Sequence, residues 1–254
     1  TCKSPQQMLG AVAKSWLDEK EGLDPARVYS VAVMPCTAKK FEATRPAMGH
    51  GALPDVDAVI TTRELGRIIK MRGLDLAALA PEGADAPFGQ RSSAGKLFGA
   101  TGGVMEAALR TAHWLLTGGE LPTLKVQAVR GLQGVKEARV RVGERELGFA
   151  VVSGLANARR LADEVRAGRD DLHFIEVMTC PGGCINGGGQ PLGADLAAVR
   201  MRMQALYAID RDEPLRTSHG NPFVRRLYDE LLGEPLGPRS HELLHTRYEA
   251  RTAG

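Results

Sequence analysis

Apolar positions change period repeatedly along the chain, and each change marks an element. Met8, Val12 and Trp16 recur four apart behind Ser4 and Pro5, a capping residue and a proline at the first helical position, predicting a helix that Gly22 ends. Val28-Tyr-Ser-Val-Ala-Val-Met-Pro-Cys36 has the length and β-branched content of a buried strand. A polar loop is expected from Thr37 to about Pro54, then a short strand over residues 57–60. Next comes a helix capped by Thr62, with Leu65, Ile68 and Ile69 at helical spacing. Residues 81–93, rich in Pro, Gly and Ala, read as a loop. Phe98-Gly-Ala-Thr-Gly-Gly-Val-Met-Glu-Ala-Ala-Leu-Arg110 is a glycine-rich entry to a long helix ending near Gly118. Strands are expected close together at residues 125–129, 138–142 and 146–152, then a helix over 155–167 and a second cysteine-ended strand, Phe174-Ile-Glu-Val-Met-Thr-Cys180. Helices near residues 196–209 and 223–232 complete a pattern that predicts an α/β fold, with mixed or parallel sheets flanked by helices.

Composition narrows this picture without redrawing it. At 254 residues, 43% hydrophobic and 25% charged, the chain can bury a full core, as one large domain or two packed lobes. The net charge of +3 is small and its cations are spread among acids, which argues against nucleic acid. No apolar run approaches the roughly 20 residues of a membrane span. Four cysteines in a chain this long do not make a disulfide framework, so a reducing, cytoplasmic setting is expected. The chain opens Thr1-Cys2-Lys3-Ser4-Pro5, with neither initiator methionine nor signal segment, so an upstream part of a longer protein is expected to be missing, with any address label it carried.

The candidate chemistry lies in Glu176-Val-Met-Thr-Cys-Pro-Gly-Gly-Cys-Ile-Asn-Gly-Gly-Gly-Gln-Pro191, where two cysteines and five glycines follow an apolar strand. Glycine allows close backbone approach and positive φ, and such a run is expected to leave amides free to donate to an anionic cofactor. Iron–sulfur clusters and zinc compete for such thiolates. Cys36 ends its strand as Cys180 does, both in Val-Met-x-Cys, and continued extended geometry would put Met34 and Met178 on the faces of their cysteines. Lys39 follows Cys36 by three residues, where it reads either as a solvated lysine or as a donor to an anionic ligand. The turn at 99–103 matches no nucleotide fingerprint and reads as an anion site or as close packing.

These segments resemble the iron-only hydrogenases. Met34-Pro-Cys-Thr-Ala-Lys-Lys-Phe-Glu-Ala43 and the run from Glu176 to Pro191 look like the second and third signatures of that family. Ser4-Pro-Gln-Gln-Met8, Asp57-Ala-Val-Ile-Thr-Thr-Arg-Glu-Leu65, the stretch from Phe98 to Arg110, Val129-Arg-Gly-Leu132 and Arg239-Ser-His-Glu-Leu-Leu-His245 agree in order, so the likeness covers essentially the whole chain. The resemblance implies that residues 1–254 are a catalytic domain, truncated at its amino-terminal side. It further implies an H-cluster in the cleft between two lobes: a four-iron cubane bridged to a di-iron unit carrying carbon monoxide, cyanide and a dithiolate. Cys36 and Cys180 would ligate the cubane, and Cys184 would both ligate it and bridge to the di-iron unit. Lys39 would hydrogen-bond a cyanide, Met34, Met178 and Phe98 would pack around the di-iron unit, and Ser4, Pro5 and Gln6 would line the pocket. The implied reaction is reversible reduction of protons to dihydrogen.

The family's first signature, Thr-Ser-Cys-Cys-Pro, is absent from this chain. Cys2 reads as structural, so the fourth ligand is expected from a missing upstream segment or a separate chain, and residues 1–254 alone are expected to be inactive. Ferredoxin or a nicotinamide-linked subunit would exchange the electrons. The competing reading within the family is a non-catalytic iron–sulfur protein, a sensor or a cluster-assembly relative.

Overall fold

Helix α1 spans Pro5–Glu21, with proline in its first turn and Gly22 as a left-handed cap at φ 65°. The computed structural model describes residues 1–123 and 125–249. Along the chain follow β1 (Val31–Met34), α2 (Ala38–Ala43), β2 (Gly49–His50), β3 (Leu53–Pro54), β4 (Ala58–Thr61), α3 (Thr62–Met71), α4 (Ser93–Lys96) and α5 (Gly103–Thr117). Then come β5 (Val135–Val142), β6 (Arg145–Ser153), α6 (Leu155–Arg166), β7 (Phe174–Met178), α7 (Leu196–Asp212), α8 (Pro222–Leu227) and α9 (Pro238–Leu244). Residues 1–83 with 225–254 make one compact unit, and residues 84–224 a second.

In the first unit β1 pairs in parallel with β4, Val31 opposite Ala58 through Met34 opposite Thr61. The strand is shorter than expected and not buried: Val31 and Val33 are 51% and 45% exposed, because a two-stranded sheet covers only one face. Helix α1 packs on the segment before β4. A Cβ on Gly10 would lie 2.3 Å from the Asp55 carbonyl oxygen, so only glycine permits this approach. Two buried lysines fasten it: Lys3 pairs with Asp55 at 2.7 Å, and Lys14 donates to the Pro54 carbonyl at 2.6 Å and pairs with Asp57 at 2.8 Å. The expected polar loop over 37–54 holds α2 and the β2–β3 hairpin instead. Ala-Lys-Lys-Phe-Glu-Ala favours helix, but six residues are too few to show a period. Helix α3 is capped one residue earlier than expected, by Thr61, which closes a capping box with Glu64.

The second unit is built on β6. It pairs antiparallel with β5 and parallel with β7, and α6 forms the crossover between β6 and β7. Its residues from Gly148 to Ser153 are buried on both faces, which explains the unbroken apolar run. Met105 and Leu109 of α5 pack with Val129, Phe149 and Val151 on one side, while Leu161 of α6 packs with Ala150 and Val152 on the other. Residues 127–129, expected in a strand, form a 3₁₀ turn whose Val129 joins this core.

Candidate metal centre

Both methionines close their strands, and the ladder stops at each. Pro35 lacks an amide hydrogen to extend β1, and the Met178 carbonyl accepts from Gly154 at 2.8 Å. The strands end before Cys36 and Cys180, so strand alternation does not relate each methionine to its cysteine.

Beyond Met178 the chain turns through Cys180-Pro-Gly-Gly-Cys184. Gly182 and Gly183 take φ of 85° and 96°, a region closed to most side chains. Several of the loop amides expected to be free are taken up by the protein itself. Gly183 donates to the Cys180 carbonyl at 2.9 Å, Gly187 to the Cys184 carbonyl at 2.9 Å, and Gly182 to the Ser153 hydroxyl at 3.0 Å. These bonds give the two thiols a rigid mount. Cys180 and Cys184 are half-buried, as is Cys36 between β1 and α2 of the other unit, and no disulfide joins any of them.

The loop rests on the glycine-rich turn at 99–103. Thr101 donates its amide to the Gly182 carbonyl at 3.1 Å, and a Cβ on Gly183 would sit 2.7 Å from the Thr101 nitrogen. A Cβ on Gly102 would meet the Val129 oxygen at 1.9 Å, so this turn is glycine-rich for packing. The anion at the start of α5 is the protein's own: Glu176 accepts from the amides of Gly102 and Met105 at 2.6 and 2.7 Å. Burial pushes the Glu176 carboxyl up and lowers Lys136, the nearby cation, to about 8.

In the first unit Ser4 does not cap α1. Its hydroxyl donates to Glu42 at 2.7 Å, and Lys39 bonds the same carboxylate at 2.9 and 3.1 Å, so two residues expected in the pocket meet on a third. Lys40 points elsewhere, to the Val59 carbonyl at 3.0 Å and to Glu64 at 2.8 Å. Gln6 is buried with neither amide atom hydrogen-bonded among the described residues, whereas Pro5 is exposed. Met34, Met178 and Phe98 are half-buried, Phe98 in the 3₁₀ turn Leu97–Gly99. Cys2 is exposed and near His245, its sulfur 4.0 Å from Nε2. Among the described residues no three histidine, cysteine or carboxylate side chains gather into one metal-binding group.

The model of the iron-only hydrogenase large subunit, C-terminal domain, matches residues 1–188, three-quarters of the chain. The chain belongs to the iron-only hydrogenase family. A second model, the iron hydrogenase small subunit, matches residues 196–251. The NADP-reducing hydrogenase subunit HndD of Solidesulfovibrio fructosivorans is 50% identical over 252 residues, covering 99% of this chain and 43% of that protein. Cytosolic iron-sulfur assembly component 3 of Mus musculus is 33% identical over 257 residues, covering 98% of this chain and 53% of that protein. An apo FeFe-hydrogenase HydA1 variant from Chlamydomonas reinhardtii matches with a TM-score of 0.82 at 45% identity, over 97% of this chain and 69% of that one. This hydrogenase-family chain thus spans about half the length of the two curated relatives. Among its described residues no helix is long and apolar enough to cross a membrane.

Sequence reasoning passed over Glu176, Lys136 and a buried charge cluster in the second unit. Arg110 pairs with Glu106 at 2.7 Å and with Asp210 at 2.8 Å, and Arg130 reaches the same two acids at 2.7 and 2.9 Å. One signal was present: Glu106 and Arg110 stand four apart in an otherwise apolar stretch of helix.

Proposed function

We propose that residues 1–254 form the cluster-holding catalytic domain of an iron-only hydrogenase that reversibly reduces protons to dihydrogen. The observation that carries this reading is the Cys180–Cys184 loop, two half-buried thiols mounted on positive-φ glycines beyond the end of β7, in a chain of this family. The donor set fits an H-cluster: soft thiolates suit iron and sulfide, and the buried amide of Gln6, without a partner among the described residues, offers donors to an anionic ligand. Cys36, Cys180 and Cys184 would hold the cubane in this reading, and Cys184 would also serve the di-iron unit. Lys39 donates to a cyanide while Glu42 fixes its direction, and Ser4, Pro5 and Gln6 line the pocket. Met34, Met178 and Phe98 exclude water. When bound, the cluster supplies the redox and hydrogen-activating chemistry.

Three cysteines leave one corner of a cubane to a thiolate outside residues 1–254, from an upstream segment or another chain. Electrons pass to ferredoxin or a nicotinamide-linked subunit, and the name of the NADP-reducing relative supports the latter. Cysteine usage supports a cytoplasmic setting. A second reading, a non-catalytic cluster protein, is supported by the 33% identity with the mouse assembly component. Met34, Lys39 and Met178 favour the hydrogenase, since cluster binding alone does not require them.

Anaerobic reconstitution with ferrous iron and sulfide tests the site. With a small thiol in the buffer to fill the fourth corner, the wild type should take up about four irons with acid-labile sulfide, and C36S, C180S and C184S should each lose most of it. Uptake of zinc alone, or of no iron, overturns the reading. Iron uptake without hydrogen evolution, once the fourth thiolate and the di-iron unit are supplied, selects the second reading.

A further inference from the structure

Two buried charges that the proposed chemistry does not use grip the support of the cysteine loop. Lys136, in β5, is 4% exposed, and its ammonium donates to the carbonyls of Thr101 at 3.3 Å and Gly131 at 2.9 Å. Glu176, in β7, is 5% exposed and accepts the amides of Gly102 and Met105. The peptide unit between Thr101 and Gly102 is therefore held at both ends, its oxygen by an ammonium and its N–H by a carboxylate. Burying either charge is costly, and apolar side chains would fill the same space without that cost. Charge-assisted hydrogen bonds are, however, about twice as strong as neutral ones. The hold falls where the backbone is otherwise least restrained, at Gly102, a glycine at φ 91° with no room for a Cβ against the Val129 carbonyl.

What the clamped turn touches gives the clamp its purpose. The Thr101 amide bonds the Gly182 carbonyl, and Gly183 packs on Thr101 and Ala100. Gly182 and Gly183 lie midway between Cys180 and Cys184, and Glu176 lies four residues before Cys180 on the same chain segment. A shift at residue 101 thus passes directly to the spacing of the two sulfurs.

We propose that Lys136 is a positioning residue for the Cys180 and Cys184 thiolates, acting through Thr101, with Glu176 holding the same turn from its amide side. The proposal rests on the cluster-holding role assigned above to those cysteines. Lys136 touches neither cluster nor sulfur in this scheme. It fixes the surface on which the loop is mounted, so that ligating geometry exists before iron arrives.

The test uses K136M in the full chain, with hydrogen–deuterium exchange of the iron-free protein followed by release of iron to a chelator after reconstitution. Segments 99–105 and 180–187 should exchange faster in K136M than in wild type while residues 147–152 of β6 keep their protection, and iron should leave about tenfold faster or more. Wild-type exchange and release in K136M overturn the proposal. So does full recovery in K136M/E176Q, which would reduce the role of Lys136 to balancing a buried charge. Should K136M not fold, K136Q decides by the same criteria, with partial loosening of both segments expected. A wild type that takes up no iron defeats the cluster reading, while the exchange measurement still decides the clamp.

Discussion

Arg110 and Asp210, a hundred residues apart, meet through two hydrogen bonds of 2.8 and 2.9 Å with both side chains closed to water. Ser93, Arg130 and Arg216 complete the shell of Asp210 at 2.7, 2.9 and 3.0 Å, and although burial opposes them these partners hold its carboxyl well below the usual range. Removing one member of such a cluster strands the others in a medium that cannot solvate them. R110M should cost about 3 kcal/mol, lowering Tm by roughly 6–12 °C. R166M, which breaks the exposed pair with Asp163 at 2.8 Å, should cost less than about 1 kcal/mol. Equal melting shifts in a calorimeter would refute this ranking.

Gly183 and Gly118 both have positive φ, 96° and 72°, but only Gly183 has backbone against it. G118A should cost about 1–2 kcal/mol from conformational strain alone. G183A adds a clash with the 99–103 turn that no rotamer relieves, so its urea midpoint should fall clearly further and its iron uptake should drop. G118A should leave iron uptake unchanged.

Glu64 gives a pH signature. Hydrogen bonds from Lys40 and the Thr61 backbone lower its carboxyl from 4.5 to about 2. Its folded-state value lies below its unfolded one, so its contribution is complete above pH 4.5 and fades as pH falls from there toward 2. The stability difference between wild type and E64Q should be level at neutral pH and shrink across that window. A difference constant from pH 6 to pH 2.5 would count against the hydrogen bonds from Lys40 and Thr61.

Gln7 is fully buried, and neither atom of its amide has a hydrogen-bond partner among the described residues. An unmet buried amide costs about 1–3 kcal/mol. Q7L should therefore leave the iron-free protein as stable as wild type or raise its Tm, by roughly 2–4 °C per kcal/mol recovered. A marked fall in Tm would mean that the amide is satisfied in solution.

Features whose causes lie within one or two turns of chain are legible in the amino-acid order alone. Pro5 and Gly22 bracket α1, Gly118 stops α5, the apolar run within residues 146–152 marks a strand, and the two cysteine segments carry the family's signatures. Elements too short for a period escaped, as α2 did, and residues 125–129 looked strand-like because burial of Val129 in a turn leaves the same apolar trace. Tertiary structure alone decided the partners. Glu176 reaches Gly102 across 74 residues, Lys136 reaches Thr101 across 35, and Arg110 reaches Asp210 across 100. Nothing local distinguishes a carboxylate that caps a distant helix from one left in solvent, because the free energy that sets them apart is desolvation, which exists only once the chain has folded around the charge.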